Sequence, residues 1–234
     1  MNFKEGEILC FDKPLGWTSF AVVNKVRYCL CRKLGVKKLK VGHAGTLDPL
    51  ATGVVIVCTG RATKRIEELQ GGVKEYVATV MLGATTPSFD LEKPVNATYP
   101  TGHITREMVE RALRKFTGTI LQVPPAFSAC KINGSRAYKY AREGSEVELQ
   151  PKAVTISELE LLECDLPRIV VRAVCSKGTY IRALARDIGE ELDSGAHLTA
   201  LRRTRVGSVR VEDCLAVETF AEWLDRQVIE TTNE

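Results

Sequence analysis

Apolar positions recur along the chain with two periods. Phe20, Val23, Val26, Leu30 and Leu34 are three or four residues apart, the spacing of one helix face, and Thr18 and Ser19 offer hydroxyls to cap its first turn. The opposite face carries Lys25, Arg32 and Lys33. Residues 54–58 are uniformly apolar and predict a buried strand, entered from the glycine-rich loop 42–53. Residues 74–82 alternate, with Tyr76, Ala78, Val80 and Leu82 on one face of a strand. Residues 83–104 have no period and read as loop, after which Thr105 opens a helix through Met108, Val109, Ala112, Leu113 and Phe116. Pro124-Pro125 interrupts regular structure before the polar stretch 127–145, where Asn133-Gly134 signals a turn. Strands are predicted at 153–163 and 168–175, and a helix at 180–193 with Ile181, Leu184, Ala185, Ile188 and Leu192 inward. A basic segment, 201–205, precedes an amphipathic helix at 217–228 built on Val217, Phe220, Leu224 and Val228. Strands and helices interleave without strict βαβ repetition, so the fold class is α/β (α+β): a mixed, largely antiparallel sheet with flanking helices.

Composition narrows the function classes. The chain has 234 residues, 44% of them hydrophobic, enough for a substantial core and too apolar for a disordered chain. No apolar run reaches the roughly 20 residues that span a bilayer, and the N-terminus has acids and no apolar stretch of a secretory signal. The net charge of +4 is unevenly placed: residues 13–40 hold eight Lys or Arg and no acid, whereas 211–234 carry a net −6. A basic body favours a polyanionic partner such as nucleic acid, the alternative being a face of solvated lysines, and charge alone does not decide between them. The eight cysteines form no C-x-x-C pair and several sit in apolar stretches, which points to reduced thiols in a cytoplasmic protein. Three scattered histidines offer no metal set.

Two segments could carry chemistry. Residues 42–53, GHAGTLDPLATG, place Asp48 on a loop stiffened by Pro49 and given tight turns by three glycines, just ahead of a buried strand. Asp48 is either a reacting carboxylate or a turn residue bonding its own backbone, and His43 invites an acid–base pairing with it. At 177–182, KGTYIR, a strand gives way to a helix N-terminus, and Arg182 one turn in could hold a carboxylate from elsewhere ionised. Tyr76 is either a core residue or a platform for a stacked base.

These residues resemble the TruB family of transfer-RNA pseudouridine synthases across nearly the whole chain. The resemblance lies in Asp12-Lys13-Pro14 with Gly16 and Ser19, in 42–53, in Gly60-Arg61-Ala62-Thr63-Lys64 and in Lys74-Glu75-Tyr76. It continues through Gln122-Val123-Pro124-Pro125, Ser128-Ala129, Lys131, Gly134, Arg136 and Tyr138, then 177–182 and Leu201-Arg202-Arg203-Thr204. Gly83, Thr86 and Asp90 fit the family pattern after the Tyr76 strand, but Ser88 replaces a threonine and Lys93 a glycine, which leaves the closure of that loop open.

The resemblance implies a pseudouridine-synthase catalytic domain over 1–210 and an acidic helical segment, 211–234, with no complete RNA-binding PUA domain in the 27 residues after Gly207. It implies conversion of uridine 55 in the T-loop of transfer RNA, by base flipping and without cofactor or metal. By the same resemblance Asp48 is the essential carboxylate, Arg182 keeps it ionised and Tyr76 stacks on the base. Tyr180 and Leu201 line the pocket, His43 takes the space the flipped base leaves, and Lys13 and Lys64 meet phosphates, Lys64 equally serving a local ion pair. The partner is then the T-arm of transfer RNA, met by a cytoplasmic monomer with no guide RNA or obligate protein partner. Two competing readings are an RNA-binding protein on this fold without catalysis, and a synthase of a guide-RNA particle.

Overall fold

The computed structural model describes residues 1–128, 130–132, 135–136, 140 and 149–230; the expected Asn133-Gly134 turn, Ala129 and Tyr138 lie outside them. In chain order the elements are β1 (Ile8–Lys13), α1 (Ser19–Leu34), β2 (Val41–His43), β3 (Ala51–Thr59), a 3-10 turn (Gly60–Arg65) and α2 (Ile66–Gly71). Then come β4 (Lys74–Leu82), β5 (Ala84–Thr85), β6 (Ala97–Thr98), α3 (Arg106–Lys115), β7 (Gly118–Gln122), β8 (Lys131–Ile132) and β9 (Ser135–Arg136). The rest are β10 (Lys152–Asp165), β11 (Arg168–Cys175), α4 (Ile181–Glu191), β12 (Ala196–Val206), β13 (Val209–Arg210), β14 (Leu215–Ala216) and α5 (Phe220–Asp225). The chain divides into two compact units, Met1–Lys74 with Arg202–Glu234, and Glu75–Leu201. Each carries mostly antiparallel strands with flanking helices, the expected mixed α/β class.

In the first unit the strand order is β14-β1-β3-β12, with β12 contributing its residues from Arg202 onward. β1 runs antiparallel to β3, from Ile8 opposite Cys58 to Lys13 opposite Gly53, and β14 lies parallel on its other edge. Phe11 of β1 meets Phe220 of α5 edge-on at 5.2 Å, so the acidic C-terminal segment packs into the same core as the N-terminus. Thr18 caps α1 by accepting the Ala21 N–H at 3.0 Å, and Gly35 closes it at φ +64.

The buried stripe of α1 is Val22, Val23, Val26, Cys29 and Leu30, which corrects the expected face. A stripe centred on Val26 leaves Phe20 about 120° round the helix, and Phe20 is 59% exposed. The C-terminal helix is shorter than expected: Val217, Phe220 and Leu224 are buried, but Val228 is exposed. The helix ends at Asp225, and the Val228 carbonyl accepts from the Met1 amino group instead.

In the second unit the order is β12-β4-β11-β10-β7. Tyr76, Ala78, Val80 and Leu82 face inward along β4, and the five inward positions of α4 are buried, both as the periods predicted. Thr105 caps α3 by accepting the Met108 N–H, and α3 packs on β10 and α4. β1, β7 and β12 are strands that the periodicity did not bring out.

Gly53 stands at φ +109, and a Cβ there would lie 2.1 Å from the Arg203 carbonyl oxygen. β3 and β12 can approach only because position 53 has no side chain. Gly53→Ala should cost more than about 3 kcal/mol. Gly16→Ala, at φ +80 with open space around it, should cost about 1–2 kcal/mol. Urea unfolding of both variants checks this, and equal losses would remove the close approach as the cause.

Candidate active site

β2 and β3 pair as a hairpin, with His43 opposite Val57, and residues 44–50 connecting them carry Asp48. Backbone hydrogen bonds close the loop: Ala44 N–H to Ile56 O at 2.8 Å, Ala51 N–H to Asp48 O at 3.0 Å, and Gly16 N–H to Pro49 O at 2.8 Å. Ser19, at the start of α1, grips Leu47 from both sides. Its hydroxyl accepts the Leu47 N–H at 2.8 Å and donates to the Leu47 carbonyl at 3.2 Å.

Two buried cations complete the clamp. Lys13, at the end of β1, has no exposed surface, and its ammonium donates to the carbonyls of Trp17 (2.7 Å), Pro14 (3.0 Å) and Pro49 (3.4 Å). Arg203 of β12, 2% exposed, donates to Val54 O at 2.8 Å, Thr46 O at 3.3 Å and Gly45 O at 3.4 Å, reaching both arms of the loop. Beside it, Arg202 holds Asp12 at 2.7 Å and Thr52 at 3.2 Å. Burial pushes the Lys13 ammonium down from 10.5 to about 8, against the opposing attraction of Asp48 and with the repulsion of Arg203 adding to the depression.

Lys13 is therefore a loop clamp; the expectation that it meets phosphate is corrected by its burial and its three carbonyl partners. Lys64 is exposed on the 3-10 turn between Arg61, paired with Glu5, and Arg65, paired with Glu68. It makes no ion pair among the described residues. His43 is half-buried on β2.

The second unit holds the other expected residues. Tyr76 is buried on β4 and Leu201 half-buried on β12. Tyr180 sits just before α4, with its backbone pinned by the buried Gln122: the Tyr180 N–H donates to Oε1 at 2.8 Å, and Nε2 donates to the Tyr180 carbonyl at 3.2 Å. Burial raises the Tyr180 phenol above its ordinary value, partly offset by its hydrogen bond to Ser128. Arg182, 4% exposed, donates to Phe127 O at 2.9 Å and Ser88 O at 3.2 Å, with Asp90 Oδ2 3.7 Å from its Nε. Arg182 thus ties the start of α4 to the loop after β5.

The two departures in that loop have a structural answer. The Ser88 hydroxyl donates to Asp90 O at 3.2 Å and accepts the Lys93 N–H at 3.1 Å, so serine closes the turn and position 93 contributes its backbone. Lys93 also lies over the Phe127 ring at 5.5 Å. Arg203 is the loop-holding residue that the sequence left without a role. Its only signal was membership of the Leu201–Thr204 match, since a buried arginine breaks the apolar pattern that marks a strand.

Residues 32–181 match the description "TruB family pseudouridylate synthase (N terminal domain)", and residues 182–232 match "tRNA pseudouridylate synthase B C-terminal domain". The chain is 74% identical over 230 residues to tRNA pseudouridine synthase B of Phocaeicola vulgatus, covering 98% of each. It is 69% identical over 233 residues to the protein of the same name from Bacteroides fragilis, covering 100% of each. Among solved structures, a chain of "Crystal Structure of a Cbf5-Nop10-Gar1 Complex" is similar at TM-score 0.71 and 27% identity, over 96% of this chain and 56% of that one.

Two measurements test the clamp. Ser19→Ala leaves the Leu47 amide without its hydroxyl partner in a buried setting, so it should cost about 1–3 kcal/mol and speed hydrogen exchange at Leu47. Unchanged exchange there would show that Ser19 does not hold the loop. For Lys13, the folded value of about 8 lies below the unfolded 10.5, so between these pH values the unfolded chain carries a proton that the folded chain has shed. Stability of the wild type relative to Lys13→Met should rise across that window and be flat below it. A flat difference throughout would show that Lys13 keeps its ordinary basicity.

Proposed function

The chain belongs to the TruB family of pseudouridylate synthases, and we propose that it isomerises uridine to pseudouridine in transfer RNA, at position 55 of the T-loop, with Asp48 as the essential carboxylate. The observation that carries this reading is the clamp of Lys13, Ser19 and Arg203 around the Asp48 loop. Two buried cations on the loop carbonyls hold Asp48 in a fixed place, the preorganisation that a reacting carboxylate needs.

The reaction breaks the bond from ribose C1′ to uracil N1, turns the base, and joins C1′ to C5. C5 loses its proton and N1 gains one, so atoms and electrons balance within the nucleotide. Asp48 serves this either by bonding covalently to a carbon or by removing a ribose proton, and both roles need the carboxylate ionised. Arg182 is the guanidinium proposed to keep it so. Extruding the uridine costs a few kcal/mol, of which stacking on Tyr76 returns about 1–3 kcal/mol. Tyr180, whose phenol burial raises above its ordinary value, and Leu201 form the pocket wall. His43 fills the space the base leaves. Lys64 is the exposed cation proposed to meet phosphate.

We further propose a cytoplasmic monomer that acts on the T-arm without a guide RNA or another protein. The identity of 74% to a named tRNA pseudouridine synthase B, against 27% to the chain of the Cbf5-Nop10-Gar1 complex, favours this over a guide-RNA particle. Asp48, Tyr76, Tyr180 and Arg182 are all present, which argues against a binding protein without catalysis. No helix among the described residues is long and apolar enough to cross a membrane.

The pure chain should form pseudouridine at position 55 of an unmodified transfer-RNA transcript with no other component. Asp48→Asn, which keeps the loop's shape without its charge, should abolish single-turnover conversion while RNA binding stays within a few-fold. Substantial residual conversion would mean that another group does the chemistry.

A further inference from the structure

The outward face of α1 carries more than charge. Phe20, Asn24 and Tyr28 follow one another at steps of four, and the two aromatic side chains are 59% and 63% exposed. The helical rise puts them about 12 Å apart along the axis. Leu15, 64% exposed, precedes them on a turn joined to the Asp48 loop by the Gly16 N–H to Pro49 O bond, and Leu50 of the next turn is exposed too. Exposed apolar side chains therefore run from the Asp48 loop out along the helix. Single exposed aromatics need no explanation, but a run of them is a contact surface.

The charges around this run say what it contacts. Residues 13–40 contain eight Lys or Arg and no acid. Arg27 is used internally, donating to Asn24 Oδ1 at 2.9 Å and Val41 O at 3.0 Å, and Lys33 pairs with Asp225 at 2.8 Å. Lys25 and Arg32 make no ion pair among the described residues, although Arg32 lies near enough to Asp225 to help Lys33 lower its carboxyl. A second copy of the chain docking here through a two-fold axis would bring like charges together. Aromatic side chains interleaved with cations are what single-stranded RNA recognition uses, the rings for bases and the cations for phosphates.

We propose that this face of α1 is an RNA-docking surface beyond the reacting nucleotide, where Phe20 and Tyr28 stack on unpaired nucleotides of the substrate RNA and Lys25 and Arg32 meet the flanking phosphates. The proposal rests on the RNA-substrate reading of the Asp48 site. Neither aromatic is part of the clamp or of the residues assigned to the chemistry.

The test compares wild type, Phe20→Ala/Tyr28→Ala and Lys25→Gln/Arg32→Gln with a full-length transfer-RNA transcript. Equilibrium binding is measured over a range of salt, and single-turnover conversion at saturating enzyme. The aromatic pair variant should raise Kd about tenfold or more with the salt slope unchanged, because no charge is removed. Its rate at saturation and its unfolding midpoint should match wild type. The cation variant should flatten the slope of log K against log salt by roughly 0.7–0.9 for each phosphate that is no longer neutralised. Photocrosslinking with 5-bromouridine-substituted RNA should mark α1. An unchanged Kd for the aromatic variant, or crosslinks that never reach α1, would overturn the surface. So would concentration-dependent dimerisation that the aromatic variant abolishes, which would assign the face to self-association. A wild type that binds the RNA but leaves its uridine unchanged would count against the Asp48 reading alone, and the Kd comparison would still judge the surface.

Discussion

Two buried cations gripping the carbonyl oxygens of one loop are the constraint on which the first unit depends. Lys13 and Arg203 lie on β1 and β12, and their six carbonyl partners include Gly45, Thr46, Pro49 and Val54 around Asp48. A buried charge is tolerated only when its donors are satisfied, so these strands cannot shift without stranding a cation. The loop in turn cannot relax without exposing its carbonyls to no partner. Gly53 is the geometric condition for the arrangement, since it lets the backbone of Arg203 approach β3. The fold thus fixes the position of Asp48 through the backbone of its neighbours.

This arrangement also explains which parts of the fold were legible in the sequence. β4 and α4 were read correctly because their inward positions are apolar throughout, from Tyr76 to Leu82 and from Ile181 to Leu192. β1 and β12 were not brought out. Each places a charged residue, Lys13 or Arg203, at an inward position, and a buried charge looks in sequence like a surface residue. The face of α1 was misread for the converse reason. Phe20 is apolar and exposed, so periodicity assigned it to the core. Both errors fall where side chains do something other than fill the interior.

The candidate site was legible through a different signal. Asp48 stood out by the glycines and proline around it, while the roles proposed for it and for Tyr76, Tyr180 and Arg182 came from family resemblance. Resemblance alone could not distinguish a clamp from a contact, and it sent Lys13 to the phosphates. In the second unit the same kind of backbone fixing recurs with different chemistry. Gln122 holds Tyr180 through both its amide groups, and Arg182 spans the carbonyls of Ser88 and Phe127. The substitution of Ser88 for threonine is absorbed because a hydroxyl, whichever residue supplies it, closes that turn.

The most direct measurement on the clamp is single-turnover pseudouridine formation by Arg203→Lys and Arg203→Met, at saturating enzyme and below the unfolding midpoint of each, with RNA Kd measured on the same preparations. If Arg203 positions Asp48, the rate constant falls in both, further for methionine than for lysine, which restores one donor, while Kd stays within about twofold. A wild-type rate constant in folded Arg203→Met, or a loss confined to Kd, would contradict it.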